Sequence, residues 1–220
     1  MARLASGAEL RLTGPTDRAA VVCMNGGQRA EVEGTWSASL EWLVQRLAPR
    51  FPGLAFAELR YRIKSWERLD WCIEDAQEAV RAVGAPRVLL LGFSMGGAVA
   101  ISVADEPGVE EVLGLAPWIP ERLDLAPLAG RRLTVIHGSL DRALPGIPGV
   151  SPTASRRGFE RACALGGVDG GYTVLRGAVH GMALRAHWGR PIPLPRAGAW
   201  ARLVARELER FEGSRTIIAR

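Results

Sequence analysis

Apolar and polar positions alternate along this chain in blocks. Short, wholly apolar runs, each about the length of one strand, are separated by longer stretches in which apolar residues recur at helical spacing. This alternation predicts βα units and a mainly parallel central sheet with helices on both faces, because strands covered on both sides have no polar face to show. Strands are predicted at residues 19–24, 54–59, 87–91, 109–115, 133–136 and 172–175. Leu40, Leu43, Val44 and Leu47 mark one helix face, with Ser37 or Ser39 available as N-cap and Pro49 near the end. Further helices are predicted over residues 70–83, over the small-residue stretch 98–104 and near 155–165. A last helix places Trp200, Leu203, Val204, Leu208 and Phe211 on one face. The Pro-rich stretch 190–195 before it reads as an ordered surface segment, and internal repeats are absent.

Composition narrows the class. A chain of 220 residues with 48% hydrophobic content suits one domain spanning residues 1–220, with a core that needs neither disulfide nor metal. The formal charge of +5 raises nucleic acid as a partner, but the cations are nearly all arginines spread along the chain, with Lys64 the sole lysine. Arg131-Arg132 and Arg156-Arg157 are the densest spots and neither makes a patch, so no nucleic-acid partner is expected. Cys23, Cys72 and Cys163 are odd in number and lack metal-site spacing, which fits free buried thiols in a reducing compartment and predicts no metal. Residues 1–9 hold no apolar stretch long enough for a signal-peptide core, no window approaches the apolar run that spans a membrane, and a cytoplasmic protein with no membrane partner is expected.

Chemistry concentrates at three places. Gly92, Ser94 and Gly96 form a Gly-x-Ser-x-Gly segment between the most apolar strand and a small-residue helix. A sharp strand-to-helix turn there lifts a serine oxygen above the sheet, its glycines admitting close backbone approach and the helix N-terminus favouring negative charge. A serine hydroxyl needs a base, and three histidines are available. His180 follows the predicted strand 172–175 on a loop, and is the candidate base; His187 is the fallback, and His137 reads as a structural residue supporting its turn. Asp141 follows the strand at 133–136 after a glycine-containing turn and is the candidate carboxylate that orients the histidine, with Asp124 in reserve. Along the chain the three candidates fall in the order Ser94, Asp141, His180.

These segments together resemble the α/β-hydrolase family over nearly the whole chain. Residues 92–96 resemble the nucleophile elbow, residues 138–145 the acid loop with its trailing proline, and residues 179–181 the histidine loop. The resemblance implies an oxyanion hole built from the backbone N–H groups of Gly27 and Met95, with Gln28 the neighbouring alternative. Asn25 stands where relatives usually carry histidine, which bears on how that loop is held. Many relatives insert a cap domain after the strand that here ends near Leu115; only residues 116–132 are available, so a compact fold with no cap is expected.

An open site then follows, walled by Trp118, Ile119, Leu144 and Met182, with Gln28 beside the oxyanion loop and Trp36 and Trp66 near the mouth. Arg60 and Arg62, at a strand's C-terminal end, either greet an acidic substrate group or pair with nearby carboxylates. The expected activity is cofactor-free hydrolysis of a small acyl ester through an acyl-enzyme. Thioesterase, acyltransferase, amidase or peptidase chemistry uses the same three groups, and a noncatalytic binding protein on this scaffold is the alternative from another class. The sequence says nothing of oligomeric state.

Overall fold

The computed structural model describes residues 1–142, 149–165 and 167–214. Among them, eight strands form one sheet: β1 (Ala2–Arg3), β2 (Glu9–Thr13), β3 (Ala19–Met24), β4 (Leu54–Arg60), β5 (Val88–Phe93), β6 (Val109–Leu115), β7 (Arg132–Gly138) and β8 (Asp169–Leu175). Their spatial order is β1-β2-β4-β3-β5-β6-β7-β8. β1 and β2 pair antiparallel, as do β2 and β4, and every pair from β4 to β8 is parallel. β9 (Ala183–Arg185) and β10 (Pro191–Pro193) make a separate antiparallel hairpin.

The helices are α1 (Ala38–Leu47), α2 (Leu69–Val83), α3 (Met95–Ser102), α4 (Pro152–Ala164) and α5 (Ala197–Gly213). They divide between the two faces of the sheet, and the strand residues divide with them. Ala20, Val22, Met24, Val88 and Leu90 pack with residues of α2, α3 and α4. Their alternates Ala19, Val21, Cys23, Leu89 and Leu91 pack with α1 and α5. Both side-chain sets of β3 and of residues 88–91 are therefore buried, which is why those strands read as unbroken apolar runs. α5 closes one face by burying Trp200, Val204, Leu208 and Phe211, each worth about 2 kcal/mol in removed apolar surface.

Each predicted strand and helix is present, the strands at 19–24 and 109–115 with the predicted ends and the others with shifted ones; of the three free cysteines Cys23 and Cys72 are buried as expected, whereas Cys163, near the end of α4, is exposed. α3 begins at Met95 instead of residue 98, because Ser94 is the last non-helical residue and the glycines after it lie inside the first turn. Gly96 has no alternative there: a β-carbon would lie 2.2 Å from the Met24 carbonyl oxygen, where α3 passes β3. Ser37, not Ser39, caps α1 by accepting the Leu40 N–H at 3.3 Å. Residues 116–131 between β6 and β7 hold one short 3-10 turn, Ala126–Leu128, and no cap. No helix among the described residues is long and apolar enough to cross a membrane.

Candidate active site

Ser94, Asp141 and His180 follow β5, β7 and β8, at the carboxyl ends of strands in one half of the sheet. This is where open α/β sheets gather ligand-binding groups. Ser94 has φ 56° and ψ −120°, a conformation that L-residues rarely adopt. Its turn is clamped on both sides: the Ser94 N–H donates to the Leu115 carbonyl at 3.0 Å, and its own carbonyl accepts the N–H groups of Gly97 and Trp118, each at 2.9 Å. A β-carbon on Gly92 would sit 2.3 Å from the Gly96 carbonyl oxygen, so the strand can meet the helix this closely only with glycine.

His180 Nε2 lies 2.9 Å from Ser94 Oγ, and His180 Nδ1 lies 2.7 Å from Asp141 Oδ2. An ionised carboxylate only accepts, so Nδ1 carries the hydrogen and the Nε2 lone pair faces the serine hydroxyl. The histidine side chain is 15% exposed while Asp141 is buried, and the Phe93 ring lies beside the imidazole with centroids 5.1 Å apart. The two loops are stitched together by the donation of Ser139 N–H to Leu175 O at 3.0 Å and of Leu140 N–H to Ala178 O at 2.9 Å. The Gly177 N–H adds a bond to Ser139 Oγ at 3.0 Å.

Asp141 receives more than one histidine. His137 Nε2 lies 3.0 Å from the same oxygen, Oδ2, and 2.9 Å from the Val150 carbonyl oxygen. Two acceptors facing Nε2 mean that it carries the hydrogen. The Val150 N–H donates to the other carboxylate oxygen at 3.0 Å. Burial pushes the Asp141 carboxyl up, but the hydrogen bonds from His137 and His180 outweigh it and hold it below the usual carboxylate value. His137 thus supports its turn as expected, and does so through the carboxylate itself.

The loop after β3 comes to within contact of the serine: a β-carbon on Gly26 would lie 3.2 Å from Ser94 Cβ. Among the described residues, the Gly27 and Met95 amides form no hydrogen bond. Asn25 holds the loop. Its Nδ2 donates to Thr35 O at 2.8 Å, its Oδ1 accepts the Gly26 N–H at 2.7 Å, and its carbonyl accepts the Tyr61 hydroxyl at 3.3 Å. Gln28 pairs with Ser65 in an isolated bridge and its carbonyl accepts the Trp66 N–H at 3.1 Å, which commits its main chain to the neighbouring loop.

Other sequence candidates sort by position. Trp66 and Trp118 line a recess of about 240 Å³ that opens on Ser94 and Met95. Met182 does not wall the site: it is fully buried in the core formed with α1 and α5. The reason is Ser39, whose hydroxyl oxygen accepts the N–H groups of Met182 and Ala183 at 3.0 and 3.1 Å and turns that segment inward. Leu144 and the trailing Pro145 lie outside the described residues. Trp36 sits under the Arg11 guanidinium, 4.7 Å from its ring centroid, beside a different recess. Asp124 is an exposed turn residue accepting the Ala126 N–H, and His187 packs edge-on against exposed Trp188. Arg60 is held by Glu9 and Glu33, and Arg62 by Glu74 and Asp75, so the carboxylate-pairing reading of both holds. Ser39 and Val150 were not singled out by sequence; two serines at a helix start where only one can cap was the available signal for Ser39.

No protein-family profile and no curated protein matches the chain. Solved structures do. An α/β serine hydrolase homologue from Coxiella burnetii superposes with a TM-score of 0.63 at 17% identity, over 91% of each chain. An esterase from Exiguobacterium antarcticum gives 0.64 at 13% identity, covering 94% of this chain and 98% of that one. A carboxylesterase from Lactobacillus plantarum gives 0.64 at 16% identity, covering 96% and 95%. With the strand order and the strained serine turn already described, these likenesses identify the fold of this chain as the α/β-hydrolase fold.

Proposed function

We propose that this chain is a serine hydrolase that cleaves small acyl esters. One observation carries the reading: Ser94 Oγ, His180 and Asp141 form a continuous hydrogen-bonded series at 2.9 and 2.7 Å, with the serine held on a strained turn at a helix N-terminus. In the proposed reaction Ser94 Oγ attacks the acyl carbon while His180 Nε2 takes its proton, and the Asp141 carboxylate stabilises the imidazolium. The tetrahedral oxyanion lies between the free amides of Gly27 and Met95. The C–O bond to the alcohol breaks as His180 returns the proton to the leaving oxygen. Water then attacks the acyl-serine, again losing a proton to His180, and the acid leaves with Ser94 regenerated.

The neighbours described as esterases and serine hydrolases support this reading at the level of fold. The test is covalent labelling by a fluorophosphonate, mapped by mass spectrometry, on native protein, heat-denatured protein and the Ser94→Ala variant. We expect one adduct, on Ser94, in native protein only. Folded protein that stays unlabelled at Ser94 would remove the hydrolase reading. Parallel turnover of ester, thioester and amide substrates reports which bond is cleaved, with loss of about 10⁴-fold or more expected in Ser94→Ala.

A further inference from the structure

The recess over Ser94 shares two wall residues, Trp118 and Val150, with a second recess of about 540 Å³ lying beside residues 118–121 and α4. Its lining is mostly apolar, with Ile119, Pro120 and Gly158 beside the hydroxyl-bearing Ser155, and with Ala154 and Ala164 at its exposed rim. The charges around it are two arginines, Arg157 and Arg161, and two carboxylates, Glu121 and Glu160, so no net charge selects for an ionic ligand. Hydrogen bonds tie two of the wall segments to the rest of the fold. The Trp118 N–H is tied to the Ser94 carbonyl at 2.9 Å, and the Arg161 guanidinium donates to Pro120 O at 3.1 Å. A β-carbon on Gly158 would fall 2.5 Å from Ile119 Cβ, so α4 and this loop are in direct contact beside the recess.

We propose that this second recess is the acyl-chain subsite of the Ser94 centre, taking the far methylenes of a straight, neutral acyl chain, with the Trp118 indole dividing it from the small recess at the serine. The inference rests on the ester-hydrolase reading. The acyl arm is assigned because the leaving alcohol must sit beside His180 to receive its proton, and both recesses lie on the Trp118 side, with His180 in the lining of neither. An apolar chain leaving water gains roughly fourfold in binding for each methylene buried, and wall segments tied in this way keep that gain from being spent on ordering the protein.

The experiment compares kcat/KM for p-nitrophenyl acetate and p-nitrophenyl octanoate on the full chain and on two variants that fill the recess from α4, Ala154→Trp and Ala164→Trp. The expected result is a fall of about tenfold or more in the octanoate-to-acetate ratio in both variants, the worth of two or more methylenes returned to water. An unaltered ratio in variants whose thermal melts match wild type overturns the subsite while leaving the hydrolase reading intact. A ratio that falls for octyl acetate against ethyl acetate, and not for octanoate, overturns the acyl assignment. Wild-type protein that cleaves neither acetate nor octanoate and takes no fluorophosphonate defeats the hydrolase reading, and the subsite with it.

Discussion

The Asp141 carboxylate accepts three hydrogen bonds, two of them from imidazoles that share one oxygen. His137 is fully buried, and its other ring nitrogen, Nδ1, has no partner among the described residues. The hydrogen on Nε2 faces two acceptors, whereas one on Nδ1 would be a buried donor without a partner among the described residues. If Asp141 orients His180 as proposed, His137 is a positioning residue for it. His137→Leu is then expected to lower kcat by about tenfold to a hundredfold, the worth of one hydrogen bond to a charged group, with little change in KM. His137→Gln, which can offer an N–H from a similar place, is expected to recover part of the loss; equal losses in both variants would mark a purely structural role. The individual residues of this network differ in how far sequence reveals them. Ser94 and His180 announce themselves by glycine-rich turns at strand ends. The convergence of His137 and Val150 on Asp141 does not, because Val150 lies nine residues farther along and nothing in the spacing says that the chain doubles back. Met182 was misplaced for a related reason: in a loop, unlike a strand, no period tells which way a side chain points.

At the scale of elements, α1 does more than cover the sheet. Ser39, in its first turn, accepts two N–H groups of the segment after His180 and donates to Ala183 O at 3.2 Å, all in a buried position. That segment leads straight into β9, so one hydroxyl joins α1, the histidine loop and the β9–β10 hairpin. Ser39→Ala leaves two buried donors unpaired. The expected cost is about 2–4 kcal/mol of stability, measured by urea unfolding, together with weaker turnover if His180, which loses its support, is the base proposed above. Elements were readable from sequence where burial on both faces made a strand wholly apolar. β2 was not, because Glu9 and Arg11 alternate with Leu10 and Leu12 on an antiparallel strand whose face is part exposed. β9 and β10 were not, because three-residue strands, one with two prolines, carry no periodicity.

At the scale of the whole molecule, two cores on opposite faces of one sheet fix where the strand ends fall, and the strand ends fix where Ser94, Asp141 and His180 meet. The fold class was readable because each level agreed: strand-length apolar runs, helical periods between them, and chemistry at the carboxyl ends of strands. The recess beside α4 was not, since a cavity is the space between elements and no residue encodes it alone. If Ser94 is the nucleophile as proposed, the same rigidity sets activity against endurance at a single position. Ser94 holds a backbone conformation that costs an L-residue about 1–3 kcal/mol and glycine almost nothing, while glycine adds back part of that in unfolded-chain freedom. Ser94→Gly should therefore yield a protein without the serine hydroxyl that outlasts its parent, about 1 kcal/mol more stable in urea, whereas Ser94→Ala, keeping the β-carbon and the strain, should not. A chain shaped for endurance alone would carry glycine here; if Ser94 is the nucleophile as proposed, its hydroxyl is held at the expense of that stability.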